Sequence, residues 1–505
     1  MALMRFSASA DTTITNAFEA GLTTRGTGSN MGYADSLEIF SLYGQSRTVQ
    51  GQTAELSRAL VQFPINKIAA QRTAGVIPAA GSVSFYLKMF NAQTPFTLPQ
   101  NFNLLLTPVS RSWIEGTGLD MDEYKDLGTS NWMKSDTTTT WTTVGGDYRT
   151  GSNYTVSFPR GYENINLDIT SLVEKWLAGA DPAYSNNYGI GIRLPLTQEA
   201  YYSSSTGQNT GSLLNNLAGS RQSYYTKKFF SRSSEFFYYR PIIEARWDSR
   251  VSDDRENFFY SSSLAPAADN LNTLYLYNYV RGRLVNIPAV GTNSIEVSLY
   301  AGATSTSTTP GVAKCLLSSG DLNATGSWVK TGIYSVDLCI TGNTTPLLAL
   351  FDVWHSGGVQ YSTGSIYPEL LPTYSAAPTF TQVTSCKNLK KSYSSNDKAR
   401  FRFFVRNRDW NPTIYVKATA NNPSLIITSA SYNIRRAADN FNAIPYGTGS
   451  DYSTYLSYDK DGNYFDFDMS MLDTGYMYEL KLSYYNDSIG DWQEQPQTFK
   501  FRVEE

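Results

Sequence analysis

The sequence contains a single histidine, His355, among its 505 residues. A zinc site built from several histidines is therefore excluded, and a Ser–His–Asp triad would have to use His355. That residue lies in the stretch DVWHSGG, where Trp354 occupies the first glycine position of a G-x-S-x-G nucleophile elbow, so the motif fails. We expect His355 to lie in a turn at the end of a strand. A phosphate-binding P-loop is also missing, and these absences together predict that the protein is not an enzyme.

A strong excess of charge of either sign is absent as well. Lys and Arg total 41 and Asp and Glu total 44, so no global field attracts nucleic acid or an anionic membrane. No window approaches the roughly 18 apolar residues of a membrane span. The first residues, MALMRFSASADTTIT, lack the apolar region of a secretory signal. We therefore expect synthesis in a cytoplasm, with no nucleic-acid partner and no membrane insertion.

Cysteine is scarce. Cys315, Cys339 and Cys386 are an odd number at wide spacing, which is typical of reduced thiols made in a cytoplasm and not of a disulfide framework. A bridge between Cys315 and Cys339 is the open alternative.

Tyrosine and small polar residues are abundant instead. Tyrosine numbers 36, while charged residues make up only 17%, and this balance favours strands joined by polar turns over helices. At about 100 to 200 residues per domain, the length allows about three domains. The sequence therefore predicts an all-β protein of three tandem β-sandwich domains.

Runs with the length and composition of strands divide the chain into three segments. The first, residues 1–248, contains eight such runs, among them SLEIFSLY at 36–43, and one short helix. The second, 249–371, is expected to be another antiparallel sandwich, and a proline-rich linker follows at 372–378. The third, 379–505, alternates cleanly in RFRFFVR, which predicts a sandwich similar to immunoglobulin or fibronectin domains.

The stretch NINLDITSLVEKWLAG, residues 164–179, predicts the helix of the first segment. Its apolar residues recur at helical spacing, and Gly179 suits the left-handed position that ends a helix. Ser171 and Glu174 have the spacing of a capping box, so we expect Glu174 to cap the helix start.

Seven blocks of the first segment occur in the order found in the DNRLRE family. They are ADTTIT, RALVQFPI, AGSVSFYLKMF, SRSWIEGTG, NLDITSLVEKWLAG, NYGIGIRL and FFSRSSEFFYYRPIIEARW. Residues 1–248 thus resemble a family of β-sandwiches that are similar to carbohydrate-binding modules and occur in large surface and extracellular proteins and in some virion proteins. The resemblance implies that the helix closes one end of the sandwich with Trp176. This chain departs from the family in two long polar loops, 115–150 and 198–226, which are additions to the usual core. Such loops commonly carry recognition surfaces.

An acidic cluster in the first long loop is a candidate calcium site, because Ca²⁺ prefers carboxylate oxygens. Its residues are Asp120, Asp122, Glu123 and Asp126. A second cluster, YDKDGNYFDFD, does not have EF-hand spacing, and a hairpin turn at Asp461–Gly462 explains it without metal. No other cofactor is expected.

The two long loops also carry aromatic residues that suit contact with a glycan or a partner protein. These residues are Trp132, Trp141, Tyr201, Tyr202, Tyr224 and Tyr225. A further aromatic run, residues 229–239, is interpreted as part of the last core strands of the segment, with a sugar-stacking platform as the alternative.

These features lead to one expected function and one alternative. We expect a non-enzymatic structural component of a tailed bacteriophage virion, in the neck, collar, tail or a fibre and less so in capsid decoration. It would be made in the host cytoplasm and would assemble with other virion proteins, with copies of itself and with a host surface glycan. The alternative is a secreted or cell-surface carbohydrate-binding protein.

Overall fold

The computed structural model describes residues 2–44, 54–95, 97–149, 151, 153–205, 211–302, 310–341, 347–371, 382–410, 424–487 and 489–505, without the side chains of 225 and 226. Strands account for 43% of the chain and helices for 7%, so the all-β prediction is confirmed. The chain divides into two compact units, Leu3–Trp247 and Asp248–Glu505, the second of which also includes Met1–Ala2. The predicted linker 372–378 lies outside the described residues, and the predicted division of 249–505 into two domains stays a prediction.

The described residues of the unit Leu3–Trp247 form two packed antiparallel sheets with two short helices. The elements are β1 (Leu3–Ser7), β2 (Ala10–Thr15), β3 (Ser36–Tyr43), β4 (Ala54–Gln62), α1 (Ile65–Thr73), β5 (Ser84–Met89), β6 (Phe102–Pro108), β7 (Tyr154–Phe158), β8 (Ile165–Asp168), α2 (Thr170–Ala178), β9 (Ile190–Arg193), β10 (Tyr224–Phe230), a 3-10 turn (Phe237–Tyr239) and β11 (Ile242–Arg246). One sheet has the order β1–β11–β5–β8. The other has the order β10–β3–β4–β9–β6–β7, with β2 paired to β4. The first and last strands of the unit are neighbours, with Leu3 opposite Arg246.

Side-chain alternation separates the core from the surface in this unit. In β5, Phe85, Leu87 and Met89 are buried, while the residues between them are only partly covered. Strand β4 instead is buried on both faces along nearly its whole length. Apart from the core between the two sheets, this unit has a second hydrophobic cluster. It covers the face of β4 that carries Leu56 and Leu60, so that face is buried as well. The seven-stranded sheet therefore has packed side chains on both faces.

The predicted helix is α2, and the structure adds a second helix, α1, that the sequence analysis did not predict. Trp176 is buried on α2, and Gly179 has the left-handed φ of 59° that ends the helix. The capping-box prediction was wrong, because the N-cap residue is Ile169, and Asp168 Oδ1 accepts from the backbone N–H of Thr170 at the helix start, at 2.8 Å. Glu174 instead accepts two hydrogen bonds from the guanidinium of Arg72 on α1, at 2.7 and 2.6 Å.

The first part of the unit Asp248–Glu505 is built around a seven-stranded sheet. Its elements are two 3-10 turns (Asp254–Glu256 and Ala267–Asn270), β12 (Asn272–Tyr277), β13 (Tyr279–Val280), β14 (Arg283–Leu284), β15 (Ile295–Gly302), β16 (Pro310–Lys314), β17 (Ala324–Lys330), β18 (Ile333–Leu338), β19 (Leu350–Ser356) and β20 (Val359–Ile366). The strand order is β12–β18–β17–β15–β19–β20, with β16 paired to β15, and β13 and β14 form a separate hairpin. Ile295, Val297 and Leu299 point into one core, while Glu296 and Ser298 point to the opposite face.

The described residues in the remainder of this unit form two sheets of four and six strands. Its elements are β21 (Gln382–Cys386), β22 (Ser392–Ser394), β23 (Lys398–Asn407), β24 (Ala430–Arg436), β25 (Phe441–Ile444), β26 (Ser457–Asp459), β27 (Gly462–Asp468), a 3-10 turn (Met469–Met471), β28 (Met477–Asn486), β29 (Asp491–Glu494) and β30 (Phe499–Glu504). The sheet orders are β21–β23–β27–β26 and β22–β30–β28–β24–β25, with β29 paired to β28. Phe401, Phe403 and Val405 are fully buried, as the alternation of RFRFFVR predicts.

Cys315, Cys339 and Cys386 are all free thiols, so the alternative bridge between the first two is not formed. No helix in the described ranges is long and apolar enough to cross a membrane.

Candidate functional site

The predicted calcium cluster is a set of turns in which the carboxylates are already engaged. Asp120 Oδ1 accepts hydrogen bonds from the backbone N–H groups of Asp122, Glu123 and Tyr124, at 2.7 to 3.1 Å. These bonds, that from Tyr124 foremost, lower the pKa of Asp120. Asp126 accepts from the backbone and hydroxyl of Thr117.

The other two acidic residues of the cluster do not complete a metal site. Asp122 accepts from the backbone N–H of Ala20 at 3.3 Å, and the Glu123 side chain is exposed. Within the part of the chain that the structure describes, no group of three or more acidic, cysteine or histidine residues can hold a metal ion. The structure does not bring Asp120, Asp122, Glu123 and Asp126 together as a metal-binding group, and the calcium hypothesis stays a prediction.

The second acidic cluster is a tight hairpin, as interpreted from the sequence. Asp459 on β26 pairs with Gly462 on β27, so the chain turns at Lys460 and Asp461. Asp459 receives a two-point ion pair from Arg402, at 2.6 and 2.8 Å.

Three of the aromatic residues predicted to contact a glycan or partner are buried. Trp132, Trp141 and Tyr202 have exposed fractions of 0%, 4% and 1%. They belong to the second cluster that covers β4, and both indole N–H groups donate to backbone carbonyls, Trp132 to Ser212 and Trp141 to Asn131, each at 2.8 Å. The contact prediction is therefore wrong for these three residues, because the polar loops fold back onto the sheet.

The remaining predicted contacts are partly covered or lie outside the described residues. Tyr201 is half-buried with the guanidinium of Arg221 4.8 Å from its ring centroid, and Tyr224 is half-buried beside Phe102. The side chain of Tyr225 lies outside the described residues.

Asn30 holds the long loop 115–150 in its folded-back position. Its amide nitrogen donates to the carbonyls of Glu115 and Ser130 at 2.6 and 2.8 Å. Its amide oxygen accepts from the backbone N–H groups of Gly32 and Gly118. All four bonds are made by a fully buried side chain, so this loop is a structural cover and not a free recognition arm.

His355 forms part of a Ser–His–Glu arrangement that the sequence analysis did not find. It lies on β19, opposite Glu296 of β15. Its Nε2 is 2.6 Å from Ser298 Oγ, and its Nδ1 is 3.3 Å from Glu296 Oε2. The two partners are separated by one residue on a strand and therefore lie on the same face of the sheet. Serine, histidine and glutamate follow one another as in a catalytic triad. Whether His355 could act as a base therefore depends on which group donates the hydrogen bond between Ser298 and His355.

The neighbouring hydrogen bonds show that Ser298 does not donate to His355. Asn323 Oδ1 accepts from Lys314 Nζ at 2.7 Å and lies 2.8 Å from Ser298 Oγ, so it also accepts the serine hydroxyl proton. Because a hydroxyl has one proton, His355 Nε2 must donate to Ser298 Oγ. A general base would need a free lone pair at that nitrogen, and Ser298 is 0% exposed. The arrangement is a structural network and not a nucleophile with its base.

A partly exposed group of rings is the strongest candidate contact surface. We call Phe90, Phe230, Phe236 and Tyr239 the aromatic platform. Tyr239 stacks on Phe230 with centroids 5.1 Å apart and lies 5.6 Å from Phe90. Phe236 meets Phe230 edge-on at 5.5 Å and is 49% exposed. Flat, exposed rings of this kind bind the apolar faces of sugar rings or of other side chains.

Only part of the aromatic run 229–239, which was interpreted as core strands, lies in the core. Phe229 and Tyr238 are buried, as that interpretation requires, whereas Phe236 is at the surface. Phe90 was missed, although a signal existed: it continues the outward-facing positions of β5 after Tyr86 and Lys88.

Comparison with known proteins gives only distant structural likenesses. No family model and no curated protein matches the chain. The N-terminal Ig1-2 module of the Drosophila receptor protein tyrosine phosphatase DLAR is similar at 6% identity, with 47% of this chain and 91% of that chain covered and a TM-score of 0.14. A DUF4785 family protein from Legionella pneumophila is similar at 10% identity over 98% of this chain and 92% of that chain, also with a TM-score of 0.14. At these scores the likenesses carry no argument, and the DNRLRE resemblance stays a prediction.

Proposed function

We propose that this chain is a non-enzymatic structural component of a tailed bacteriophage virion, located in the neck, collar, tail or a fibre. It would assemble with other virion proteins and with copies of itself after synthesis in the host cytoplasm. The DNRLRE resemblance supports a virion or surface role. The chain's succession of β-sheets supports a scaffold.

The observation that carries the proposal is that the potentially reactive side chains of this protein already make hydrogen bonds and ion pairs that hold the fold together. The one histidine donates to a buried serine, and the acidic loop residues hold their own turns. Arg58, which is buried beneath the long loops, makes a two-point pair with Glu199 at 3.0 and 2.8 Å and donates to the carbonyl of Gly145. Polar groups used in this way fix one packed conformation and leave little for chemistry.

Purified particles test this proposal. We expect mass spectrometry of particles from an infected culture to contain this chain at a fixed ratio to the other virion proteins, and density for its packed sandwiches to be found in an electron-microscopy map. Particles that are intact and infective but lack the chain would refute the proposal.

A second function, contact with a surface glycan, is favoured by the exposed aromatic platform. Sugar rings stack on aromatic faces, and Phe236 offers about half of its surface to solvent. The full-length protein on a glycan array is expected to bind, and Phe236→Ala is expected to weaken binding about tenfold, which corresponds to ~1.4 kcal/mol. Tyr124→Ala is the matched control, since Tyr124 is 64% exposed but outside the platform. Equal weakening by both variants, or no binding by the unaltered chain, would refute this function.

A further inference from the structure

Lys227 is a charged residue placed between the two sheets of the first unit. It lies on β10, just after a β-bulge, and only 1% of the residue is exposed. Its Nζ donates to Asn91 Oδ1 at 2.6 Å and to the carbonyls of Gly161 and Glu163 at 3.0 and 2.9 Å. Asn91 follows β5 and forms an antiparallel bridge with Phe229, so it lies beside β10 and within reach of Lys227.

Nζ is enclosed by aromatic rings, whose faces attract a cation but which also exclude the water that would solvate it. Phe158 and Phe229 place their ring centroids 4.7 and 4.9 Å from it. Both rings are fully buried, so water is excluded on that side. Burial lowers the pKa of Lys227 to about 7, and the charge of Glu163 only partly opposes this shift. A substantial fraction of Lys227 is therefore the neutral, nucleophilic amine at neutral pH.

Glu163 supplies a carboxylate that the fold does not otherwise use fully. One of its oxygens accepts from the backbone N–H of Arg160 at 2.7 Å. The other, Oε2, is buried and has no hydrogen-bond partner. A buried oxygen without a partner is costly unless it has a further role, and this carboxylate interacts electrostatically with Lys227.

We propose that Lys227 and Asn91 form an intramolecular isopeptide bond, with Glu163 as the proton carrier. The amide carbon of Asn91 is one bond from the oxygen that Nζ contacts, so it lies at most ~3.8 Å from Nζ, close to the separation of reacting atoms. The three hydrogen bonds from Nζ are those of an ammonium group, so the reaction begins with loss of the proton that Nζ directs to Asn91 Oδ1. The amine that remains is held by the carbonyls of Gly161 and Glu163, and its lone pair then lies on the side of Asn91.

The reaction balances without any oxidant, cofactor or other reactant. Nζ attacks Cγ of Asn91 and forms the new C–N bond, while the carbonyl electrons move to Oδ1. The Glu163 carboxylate forms no ion pair with Nζ in the resting fold, so its side chain must rotate toward Nζ, where it takes a proton and delivers it to Nδ2 of Asn91. The carbonyl re-forms, the Cγ–Nδ2 bond breaks, and ammonia leaves. The product is a secondary amide between β10 and the end of β5, and Glu163 is regenerated as the carboxylate.

Mass spectrometry of the folded full-length chain tests the proposal. We expect the intact mass to be lower than the sequence mass by one ammonia. A tryptic map should contain one branched peptide that joins the Lys227 and Asn91 segments, without cleavage after Lys227. The full sequence mass, with cleavage after Lys227 and a separate Asn91 peptide, would overturn the proposal.

Three variants separate the roles of the residues. Lys227→Arg is expected to keep the ammonia and to give no branched peptide. Glu163→Gln should slow the formation of the branched peptide by about 100-fold or more, the lower end of general acid–base contributions. Lys228→Arg is the matched control, because the neighbouring Lys228 pairs with Glu38 outside the core, and it should cross-link normally. Cross-linking of Glu163→Gln at the unaltered rate would overturn the role of Glu163. Circular dichroism of each variant establishes that it is folded.

Discussion

Arg72 on α1 and Glu174 on α2 form a two-point ion pair that joins the two helices of the first unit. Both side chains retain about a fifth of their exposure, at 22% and 20%. The pair replaces the capping role that the sequence predicts for Glu174. It also separates two contributions to stability on one helix, because Trp176 lies on the buried face of α2.

Trp176→Ala should destabilise the first unit strongly. Loss of a buried tryptophan leaves a cavity and costs about 3 to 5 kcal/mol, whereas Glu174→Gln weakens a partly exposed pair and should cost about 1 kcal/mol or less. Thermal unfolding of the full-length variants, followed by tryptophan fluorescence and circular dichroism, measures both. Equal small shifts for the two variants would contradict the packing of Trp176.

Removal of one partner from the buried pair of Arg58 and Glu199 should be equally severe. Their side chains are only 4% and 3% exposed, so Glu199→Gln leaves a buried guanidinium without its counter-charge, which costs about 3 to 5 kcal/mol. Asp409→Asn is the control, since Asp409 and Arg408 are 80% and 65% exposed and their pair contributes about 0 to 1 kcal/mol. Denaturant unfolding of both variants gives the comparison. A small effect for Glu199→Gln would show that water reaches Arg58.

Asp11 should make stability fall as pH rises from about 4 to 7. Burial raises its pKa to about 7, with the nearby Glu115 adding to the shift and Arg232 opposing it. Between its unfolded and folded pKa values the folded state binds the additional proton, so the stability present at low pH is lost as the pH rises through the folded value. Asp11→Asn keeps an acceptor for the N–H of Arg232 and should flatten this part of the curve. Unfolding measured across the window tests it, and a parallel curve for the variant would refute the assignment.

Ser298 should be unreactive toward fluorophosphonates, which label activated serines. The hydroxyl is fully buried and donates to Asn323, so His355 cannot take its proton. Peptide mapping of the treated protein should show no adduct on Ser298. An adduct there would mean that the hydroxyl proton points to His355 and that His355 activates Ser298 as a nucleophile.

The sequence predicted the strands of this chain well where the alternation of apolar and polar residues and the flanking turn residues indicated the same strand ends. SLEIFSLY matches β3 at both ends, Ser36 and Tyr43, because its alternation is bounded by turn residues. Helix α1 was missed, because the run RALVQFPI, residues 58–65, has the composition of a strand, whereas β4 ends at Gln62 and Pro64 is the N-cap of the helix.

The irregular loops were where sequence reasoning failed. Trp132 and Trp141 lie outside regular elements, so no period shows whether their rings face water or a sheet. Their burial depends on Asn30, about 100 residues earlier, whose amide ties the loop down. The contact between Lys227 and Asn91 is likewise set by the pairing of Asn91 with Phe229, which brings together residues far apart in the sequence. Such placements follow from tertiary structure, which local patterns do not encode.

The pairing of Leu3 with Arg246 means that the chain enters and leaves the first unit at one point. A module with adjacent ends can be gained, lost or exchanged within a longer polypeptide while the segments on either side keep their separation. A force applied through those two ends would separate β1 from β11 by breaking the hydrogen bonds between them one after another. The proposed link between Lys227 and Asn91 lies elsewhere in the sandwich. It would therefore not stop that first opening, but would limit how far the unit unravels after it.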